Sequence, residues 1–454
     1  MAGATTNGNQ MQDSFARKSL FQITFPLFLF AALSVGVTFA DAVLLANYSE
    51  NLAASVSLAN QILGVAYDLS ALLSIGALVL IAQHLGNDQI DKARHDAQTA
   101  LIGGMILGAV IATIIVIGAP WFADGVNTPD EIRPDVLAYI YVIAVAIVFH
   151  GFIMSAQAAL TGFGMTGAIL VVGVISNFIY LGLEYLLIYG AYGFPELGVY
   201  GAAWSTVIVR GGTILLLIWF LQRRVGLRLW SWPSAFWPKT KRILRISAPS
   251  VAENLAYNLY QLTVVSMIAV LGVSAVLTRT YALTITQLLM IITLVISHGN
   301  QVLVGYHKGA GENEAAYTRA RKTALITGIV AMVGSGALYL NADVAIGLLT
   351  DDPAVIAGIA GILLLQIAVT PFNTINLILF NALKACGDVY RPVIASLLIT
   401  FGLALPLAYV AIVVLEWGVV GLWYVYIIEE MAKAAAMLTL WVGRRWQRLQ
   451  IVAA

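Results

Sequence analysis

Carboxylates inside long apolar segments are the residues of this chain that are most able to do chemistry. Asp41 lies in the segment VTFADAVLLAN, Glu184 in FIYLGLEYLLIYG and Glu253 in SAPSVAENLAYNLYQ. A carboxylate at the centre of a bilayer costs about 2.5–3.5 kcal/mol on insertion scales, so such acids mark ion or proton pathways by default. The chemistry that these residues offer is the binding and release of a proton or a cation.

Other oxygen-bearing side chains accompany the two acids of the first half. Asn177 lies two helical turns before Glu184 on the same predicted face, and Thr206 lies in the next apolar segment. With Asp41 they supply oxygen ligands of the kind that Na⁺ binds. Alternatively, the two carboxyl groups share a proton, because crowding and desolvation disfavour their charged forms. A hydrogen-bonded clamp between helices is the purely structural alternative.

The second half is polar in a different way. Its apolar segments carry many amide, hydroxyl and imidazole groups: Asn254, Tyr257, Asn258, Tyr260, Gln261, Gln287, His298, Asn300, Asn373, Asn376 and Asn381. A single Asn often joins two helices through hydrogen bonds. Their number, however, predicts the lining of a water-accessible cavity in which Glu253 is the only plain negative charge. Glu429 and Glu430 lie within four residues of Lys433, so we expect them to form local ion pairs on one helix face.

The elements that position these residues are predicted to be membrane helices. Stretches of about 20 apolar residues indicate helical spans. Twelve are predicted, near residues 20–46, 53–82, 99–122, 136–158, 167–190, 199–221, 245–272, 277–304, 322–347, 354–382, 392–415 and 418–442. The chain is therefore expected to be an all-α polytopic membrane protein.

Composition excludes several other classes of protein. With 60% hydrophobic and 10% charged residues, the chain is too apolar for a soluble domain. A formal net charge of +1 argues against a nucleic-acid partner, which requires a concentrated basic surface. The single cysteine, Cys386, excludes an intrachain disulfide framework and a cysteine zinc site. The polar first dozen residues lack a cleavable signal pattern, so we expect the first helix to be retained.

The chain also repeats itself. The segment GNDQIDKARHDAQTALI at 86–102 is similar to GENEAAYTRARKTALI at 311–326, an alignment that pairs Ala100 with Ala324. A second similar pair of segments ends at Gly164 and Gly387, with almost the same separation along the chain. Duplicated halves around a central cavity are typical of secondary transporters.

Two prolines are separated by the same number of residues as the second pair of repeated segments. Pro26 and Pro249 lie in the first and seventh predicted spans, and they are separated by the same distance along the chain as Gly164 and Gly387. A proline inside a helix removes a backbone hydrogen bond and introduces a kink. We therefore expect hinges at Pro26 and Pro249, with static kinks as the alternative.

The basic residues predict domain boundaries and orientation. The Arg-, Lys- and Trp-rich segment 222–243 separates an N-terminal lobe, 1–221, from a C-terminal lobe, 244–454. Of 24 Lys and Arg residues, Arg133 and Arg279 lie in odd-numbered predicted loops and Arg210 and Lys433 lie within spans, which leaves 24 − 4 = 20 in even loops and tails. Positive residues accumulate on the cytoplasmic side. The linker 222–243 and both termini are therefore predicted to be cytoplasmic.

Four segments resemble a known family in the order expected for it. They are FADAVLLAN with Asp41, ELGVYGAAWST at 196–206, VGYHKGAGENEAA at 304–316 and ALKACGDVYRPVI at 382–394. Across nearly its whole length the chain resembles the multidrug and toxic compound extrusion (MATE) transporters.

The resemblance implies twelve transmembrane helices in two six-helix lobes, related by a pseudo-twofold axis along the membrane normal. It implies alternating access and export of cationic or amphipathic drugs in exchange for H⁺ or Na⁺, without a cofactor or enzymatic activity. The expected protein is a monomer in the cytoplasmic (inner) membrane, surrounded by lipids.

The resemblance also assigns expected roles to residues. Asp41 matches the first-helix acid of the family, Glu184 replaces its usual span 5 Asp, and Thr206 matches a threonine of the same site. Na⁺ or a proton is therefore expected at Asp41 and Glu184. Tyr180 is also expected in this coupling site, where it departs from the family because an Asn usually stands one turn before the span 5 acid.

In the second lobe, Glu253 matches the acid of span 7, whereas Asn373 stands where many members carry an Asp. Since ligand charge tunes cation affinity, a site with one carboxylate should hold Na⁺ less well. We therefore expect coupling in the first lobe. Substrate or a second cation is expected near Glu253, Asn254, Tyr257, Gln287, His298, Asn373 and Asn376.

Two rival functions remain. A lipid-linked sugar flippase of the same superfamily would need an interior rich in Arg and Lys to hold a diphosphate, and only Arg210 and Lys433 lie within predicted spans. A membrane-embedded enzyme would need a catalytic cluster, but the five histidines are scattered along the chain.

Overall fold

The computed structural model describes residues 18–227, 232–347, 349–350 and 352–452. Every regular element among these residues is helical, which confirms the predicted all-α class. Residues 1–17 and 228–231, which belong to the predicted N-terminal tail and linker, lie outside the described part of the chain.

The long helices follow one another with short connections. We number them in chain order: α1 Leu20–Tyr48, α2 Glu50–Gly86, α3 Ile90–Gly125, α4 Arg133–Gly162, α5 Thr166–Tyr189, α6 Val199–Val225, α7 Phe236–Ala269, α8 Val273–Gly309, α9 Asn313–Leu340, α10 Pro353–Ala385, α11 Tyr390–Val414 and α12 Gly418–Val442. Three short helices, Ala191–Gly193, Ala342–Gly347 and Arg445–Arg448, complete the helices found in the described residues.

Most of these helices are suited to a bilayer. Ten of those described are long and apolar enough to cross a membrane, α8 through its segment Leu289–Gly309. The other two long helices, α7 and α12, are interrupted by charged side chains, among them Glu253 in α7 and Glu429 in α12. The polytopic membrane class is thus supported, whereas the number of twelve crossings stays a prediction.

Several helices begin before their predicted spans. Helix α3 begins at Ile90 rather than near 99, and α9 begins at Asn313 rather than near 322. Hydropathy marks only the apolar part of a helix, while a polar first turn continues the same backbone hydrogen bonding. Arg279 is also placed differently: it lies inside α8, not in a loop as predicted.

The predicted linker 222–243 is helical at both ends. Helix α6 continues through a π-helical turn, Leu221–Val225, and α7 already begins at Phe236. Basic residues occupy both extensions, so apolarity alone does not detect them. The domain limits proposed for this linker stay a prediction.

The chain forms two compact units, one up to Val251 and one from Ala252 onward. Helix α7 passes from one unit to the other. Its first half is fixed in the first unit, where the Ser247 Oγ accepts a hydrogen bond from the Gly76 backbone N–H at 2.8 Å. Pro26 and Pro249 lie inside α1 and α7 respectively, as the repeat predicts, and their role as hinges stays a prediction.

Close packing of α3 on α4 fixes the core of the first unit. Gly104 and Gly151 face each other, and a Cβ built on Gly151 would lie 2.1 Å from the Gly104 carbonyl oxygen. Only glycine permits this approach of two backbones, as is typical of membrane helix interfaces. The two helices then serve as a rigid support for the neighbouring elements.

Candidate functional site

Two carboxylates of the first unit meet at one tyrosine. The Tyr180 hydroxyl of α5 lies 2.7 Å from Asp41 Oδ1 of α1 and 3.1 Å from Glu184 Oε1 of α5. Tyr180 and Glu184 are four residues apart and therefore project from one helix face. A contact at Gly173 brings α1 close, since a Cβ there would lie 2.3 Å from the Phe30 ring.

The hydrogens at this site can be counted. A tyrosine hydroxyl carries one hydrogen and can donate it to one acceptor only, yet the Tyr180 oxygen lies within hydrogen-bond distance of two carboxyl groups. The Tyr180 oxygen can therefore bond to both groups only if one carboxyl group is protonated and donates its hydrogen to that oxygen.

Burial leads to the same conclusion. Glu184 is fully buried, and its Oε2 has no hydrogen-bond partner in the described structure. Among the described residues, no Lys, Arg or His side chain lies within ion-pair distance of Asp41 or Glu184. A buried carboxylate without a counter-charge is strongly disfavoured unless it takes up a proton or a cation. The pair is therefore suited to reversible protonation.

The other predicted ligands of this site lie apart from that contact. Asn177 is partly buried, and its Nδ2 has no hydrogen-bond partner in the described residues. The Thr206 hydroxyl donates within α6 to the Ala202 carbonyl at 3.2 Å. The structure thus brings Asp41, Tyr180 and Glu184 together, while neither Asn177 nor Thr206 has a recorded bond to the acids.

A tyrosine that the sequence did not indicate also approaches the pair. Tyr139 of α4 is buried within electrostatic reach of Asp41, Glu184 and Arg210. Arg210 itself lies over the Tyr67 ring at 4.8 Å and donates to the Ala146 carbonyl at 3.0 Å. No local sequence pattern distinguishes Tyr139 from other aromatic residues in apolar helices, so only the packing identifies it.

In the second unit, Glu253 has few direct partners. Its Oε1 accepts a hydrogen bond from the Ser396 hydroxyl at 3.2 Å, and Lys384 lies within electrostatic reach. Lys384 packs its ammonium against the Phe380 ring at 4.6 Å. The interactions recorded for Glu253 therefore come from α10, α11 and Lys433 of α12 rather than from the predicted amides.

The predicted polar residues around Glu253 are dispersed. Four of them, Asn254, Tyr257, Gln287 and His298, are exposed on the second unit, whereas Asn373 and Asn376 are partly buried. Tyr257 accepts a bond from Gln261 at 2.5 Å, and Gln261 in turn accepts one from Arg279 at 2.8 Å.

Glu429 and Glu430, for which the sequence predicts local ion pairs with Lys433, form a second group of acids in this half. Glu429 and Glu430 of α12 are both buried, with 2% and 9% of their surface exposed. The predicted local pair forms between Lys433 and Glu429, at 2.7 Å. Asn376 donates to Glu430 at 3.0 Å, and Asn373 lies within electrostatic reach of the same carboxyl group.

The spacing of Glu429, Glu430 and Lys433 predicts local ion pairs, but one lysine cannot neutralise two buried acids. The available signal was the cost of three charges within an apolar helix, which exceeds what one exposed ion pair returns. As to metals, no group of three or more His, Cys, Asp or Glu side chains gathers in the described residues.

Comparison with protein families gives a match over most of the chain. The model of the MatE family matches residues 26–186 and again 249–410. The two matches begin at Pro26 and Pro249, the pair of positions that the internal repeat relates.

Curated relatives are similar over almost their full length. The uncharacterized transporter YisQ of Bacillus subtilis (strain 168) is 30% identical over 431 residues, covering 94% of both chains. The probable multidrug resistance protein NorM of Thermotoga maritima is 24% identical over 447 residues, covering 96% of this chain and 94% of the relative.

Solved structures share the fold. An outward-facing multidrug resistance MATE family transporter of the MOP superfamily superimposes with a TM-score of 0.84 at 20% identity, over 94% of this chain and 95% of the other. The eukaryotic MATE transporter AtDTX14 gives a TM-score of 0.82 at 13% identity, over 97% of this chain and 98% of the other. At these identities the comparison shows a shared architecture.

Proposed function

The chain belongs to the MatE family, and from this premise we propose that it is a secondary active antiporter. It exports cationic or amphipathic organic compounds in exchange for protons, by alternating access. The names of several relatives, which describe multidrug resistance proteins, support this substrate class.

The observation that carries the proposal is the Tyr180 hydroxyl between Asp41 and Glu184. The hydroxyl lies where a cation would contact both carboxylates. Because it carries a single hydrogen, it can donate to only one of the two carboxyl groups, and the other contact needs an additional proton. A proton satisfies this geometry without moving Tyr180, whereas Thr206, an expected Na⁺ ligand, donates its hydroxyl within its own helix. The arrangement therefore favours H⁺ over Na⁺ as the coupling ion.

The transport cycle follows from where the charge resides. In the outward-facing state a proton reaches Asp41 and Glu184, neutralises the pair, and favours bending of α1 at Pro26, which releases the substrate. In the inward-facing state the proton leaves, and the ionised pair again favours binding of a cationic compound. Proton and substrate are thus coupled through one set of charges, as linkage requires.

The placement of the protein in the cell is part of the same proposal. Both termini face the cytoplasm, since basic residues concentrate in the even-numbered connections and tails. The protein acts as a monomer in the cytoplasmic membrane. No observation favours the lipid-linked sugar flippase, because the buried Lys433 is already neutralised by Glu429 within its own helix.

Asp41→Asn tests this assignment. The substitution keeps the hydrogen-bonding capacity of the side chain but removes its ability to exchange a proton. We expect normal membrane expression and loss of dye and drug efflux in a strain that lacks other pumps. Full resistance in cells that carry only the variant would show that Asp41 does not couple transport.

A further inference from the structure

Glu430 is a buried carboxylate without a direct ion pair. Only 9% of its surface is exposed, and within the described part of the chain no Lys, Arg or His nitrogen lies within ion-pair distance of it. Its Oε2 accepts a hydrogen bond from Asn376 Nδ2 at 3.0 Å, and Asn373 lies within electrostatic reach of the same carboxyl group. Amide donors orient a carboxylate but carry no charge, so the only cation near Glu430 in the described residues is Lys433, which it shares with Glu429.

The preceding residue shows what full compensation looks like in the same helix. Glu429 Oε1 accepts bonds from Lys433 Nζ at 2.7 Å and Thr400 Oγ1 at 3.1 Å, while its Oε2 accepts one from the Tyr260 hydroxyl at 3.1 Å. Lys433 thus pairs directly with Glu429, while Glu430 lies within electrostatic reach of the same ammonium group. With two carboxylates and one ammonium, this part of α12 carries one unmatched negative charge if both acids are ionised.

The same region already holds an organic ammonium group, that of Lys433. Its nitrogen is bound by the Glu429 carboxylate and also lies 5.5 Å from the centre of the Tyr257 ring. A carboxylate combined with an aromatic face is the usual protein environment for alkylated ammonium ions. Tyr257 is 38% exposed, so one face of this environment is open to a ligand.

Two asparagine side chains of α10 add further polar groups beside Glu430. An Asn side chain that donates its N–H₂ to a carboxylate still has its carbonyl oxygen as an acceptor. Asn373 and Asn376 lie three residues apart and project from one face of α10 toward Glu430. Together these side chains offer a negative charge and additional oxygen acceptors, which match the N–H groups and the charge of a cation.

We propose that Glu430, oriented by Asn373 and Asn376, binds the positively charged group of an organic cation in the second unit. This inference rests on the proposed transport function and adds a substrate subsite to it. The second unit then supplies one more negative group for the cargo, Glu430, in addition to the pair Asp41 and Glu184 through which proton and substrate are coupled. Glu429 and Lys433 are positioning residues that hold α12 in place.

Ethidium, a permanent cation, is a suitable probe because it cannot lose its charge by deprotonation. Its binding to the purified full-length protein is measured by fluorescence titration for the wild type, Glu430→Gln, Glu430→Asp and Glu416→Gln. Loss of one charge-assisted contact weakens binding roughly tenfold or more. We expect Glu430→Gln to bind ethidium that much more weakly, and Glu430→Asp to recover most of the wild-type affinity.

Glu416→Gln is the matched control, since Glu416 is an exposed acid in the connection before α12. It should bind ethidium as the wild type does. Equal affinities of Glu430→Gln and the wild type, measured on protein that elutes and melts normally, would overturn the inference. So would failure of both ethidium and tetraphenylphosphonium to bind the wild type.

A parallel transport measurement separates this inference from the proposed function. If the wild type binds ethidium through Glu430 but no proton gradient drives ethidium movement, the antiport proposal fails and the subsite stands. If proton-driven efflux occurs and Glu430→Gln lowers its maximal rate without changing the ethidium concentration needed for half-maximal rate, the subsite proposal is wrong and antiport stands.

Discussion

At the scale of single residues, one hydroxyl group connects the two acids of the first unit. Tyr180→Phe removes this hydroxyl while it preserves the aromatic ring, so the proton is held less well between the carboxyl groups. We expect proton-driven dye efflux to fall roughly tenfold, the effect of losing one hydrogen bond to a charged group. The measurement is the initial rate of efflux from proteoliposomes under an imposed pH gradient.

Tyr185→Phe is the control for this variant. Tyr185 lies on the same helix, its side chain is 43% exposed and its recorded contact is with the Tyr189 ring. It should retain wild-type rates. Unchanged transport by Tyr180→Phe would show that the hydroxyl does not take part in coupling.

The acids of this site and the presence of Tyr180 beside them could be predicted from the sequence, but the contacts between these residues could not. Asp41 and Glu184 stand out because a carboxylate in an apolar segment is costly. The contact that gives them a chemical role is made by Tyr180, which lies 139 residues from Asp41 in the chain. Such a contact depends on how α1 and α5 pack, and no local pattern encodes it. The buried state of Glu430 escaped prediction for the same reason.

At the scale of elements, hydropathy located the apolar part of each helix but not its ends. Helices α3 and α9 extend into polar sequence because the backbone continues its hydrogen bonds there. The sequence also does not reveal which glycines allow two helices to approach closely, since Gly104 and Gly151 are only two of 40 glycines. Their importance follows from their juxtaposition across α3 and α4.

Gly151→Ala is expected to destabilise the first unit. The new Cβ would lie 2.1 Å from the Gly104 carbonyl oxygen, so the two helices must separate. Overpacking of this kind typically costs about 1–3 kcal/mol. The measurement is the unfolding temperature of the purified protein in detergent, which should fall clearly below that of the wild type.

Gly212→Ala provides the comparison within the same unit. No atom lies within 4 Å of a Cβ built on Gly212, and alanine favours a helix interior over glycine by roughly 0.5–1 kcal/mol. This variant should melt at or above the wild-type temperature. A Gly151→Ala variant as stable as Gly212→Ala would contradict the packing argument.

At the scale of the whole molecule, the duplicated sequence predicted a duplicated architecture, and the two family matches at 26–186 and 249–410 confirm it. The charges do not follow the repeat. Moving forward from Asp41 by the repeat offset leads to Val264, and moving back from Glu253 by the same offset leads to Phe30. Neither acid therefore has an acidic counterpart at the equivalent position of the other half.

The two units differ accordingly in their polar interiors. The unit up to Val251 contains the bridged acid pair, and the unit from Ala252 contains the buried acidic cluster of α12. We infer that one scaffold, used twice, serves two different purposes.

The most direct test of this account is ethidium efflux from proteoliposomes that contain the wild-type protein, with the proton and Na⁺ gradients imposed independently. The Tyr180 bridge predicts that an inward proton gradient alone drives efflux and that an inward Na⁺ gradient at constant pH does not. Efflux driven by Na⁺ alone, with no response to the proton gradient, would contradict proton exchange at Asp41 and Glu184.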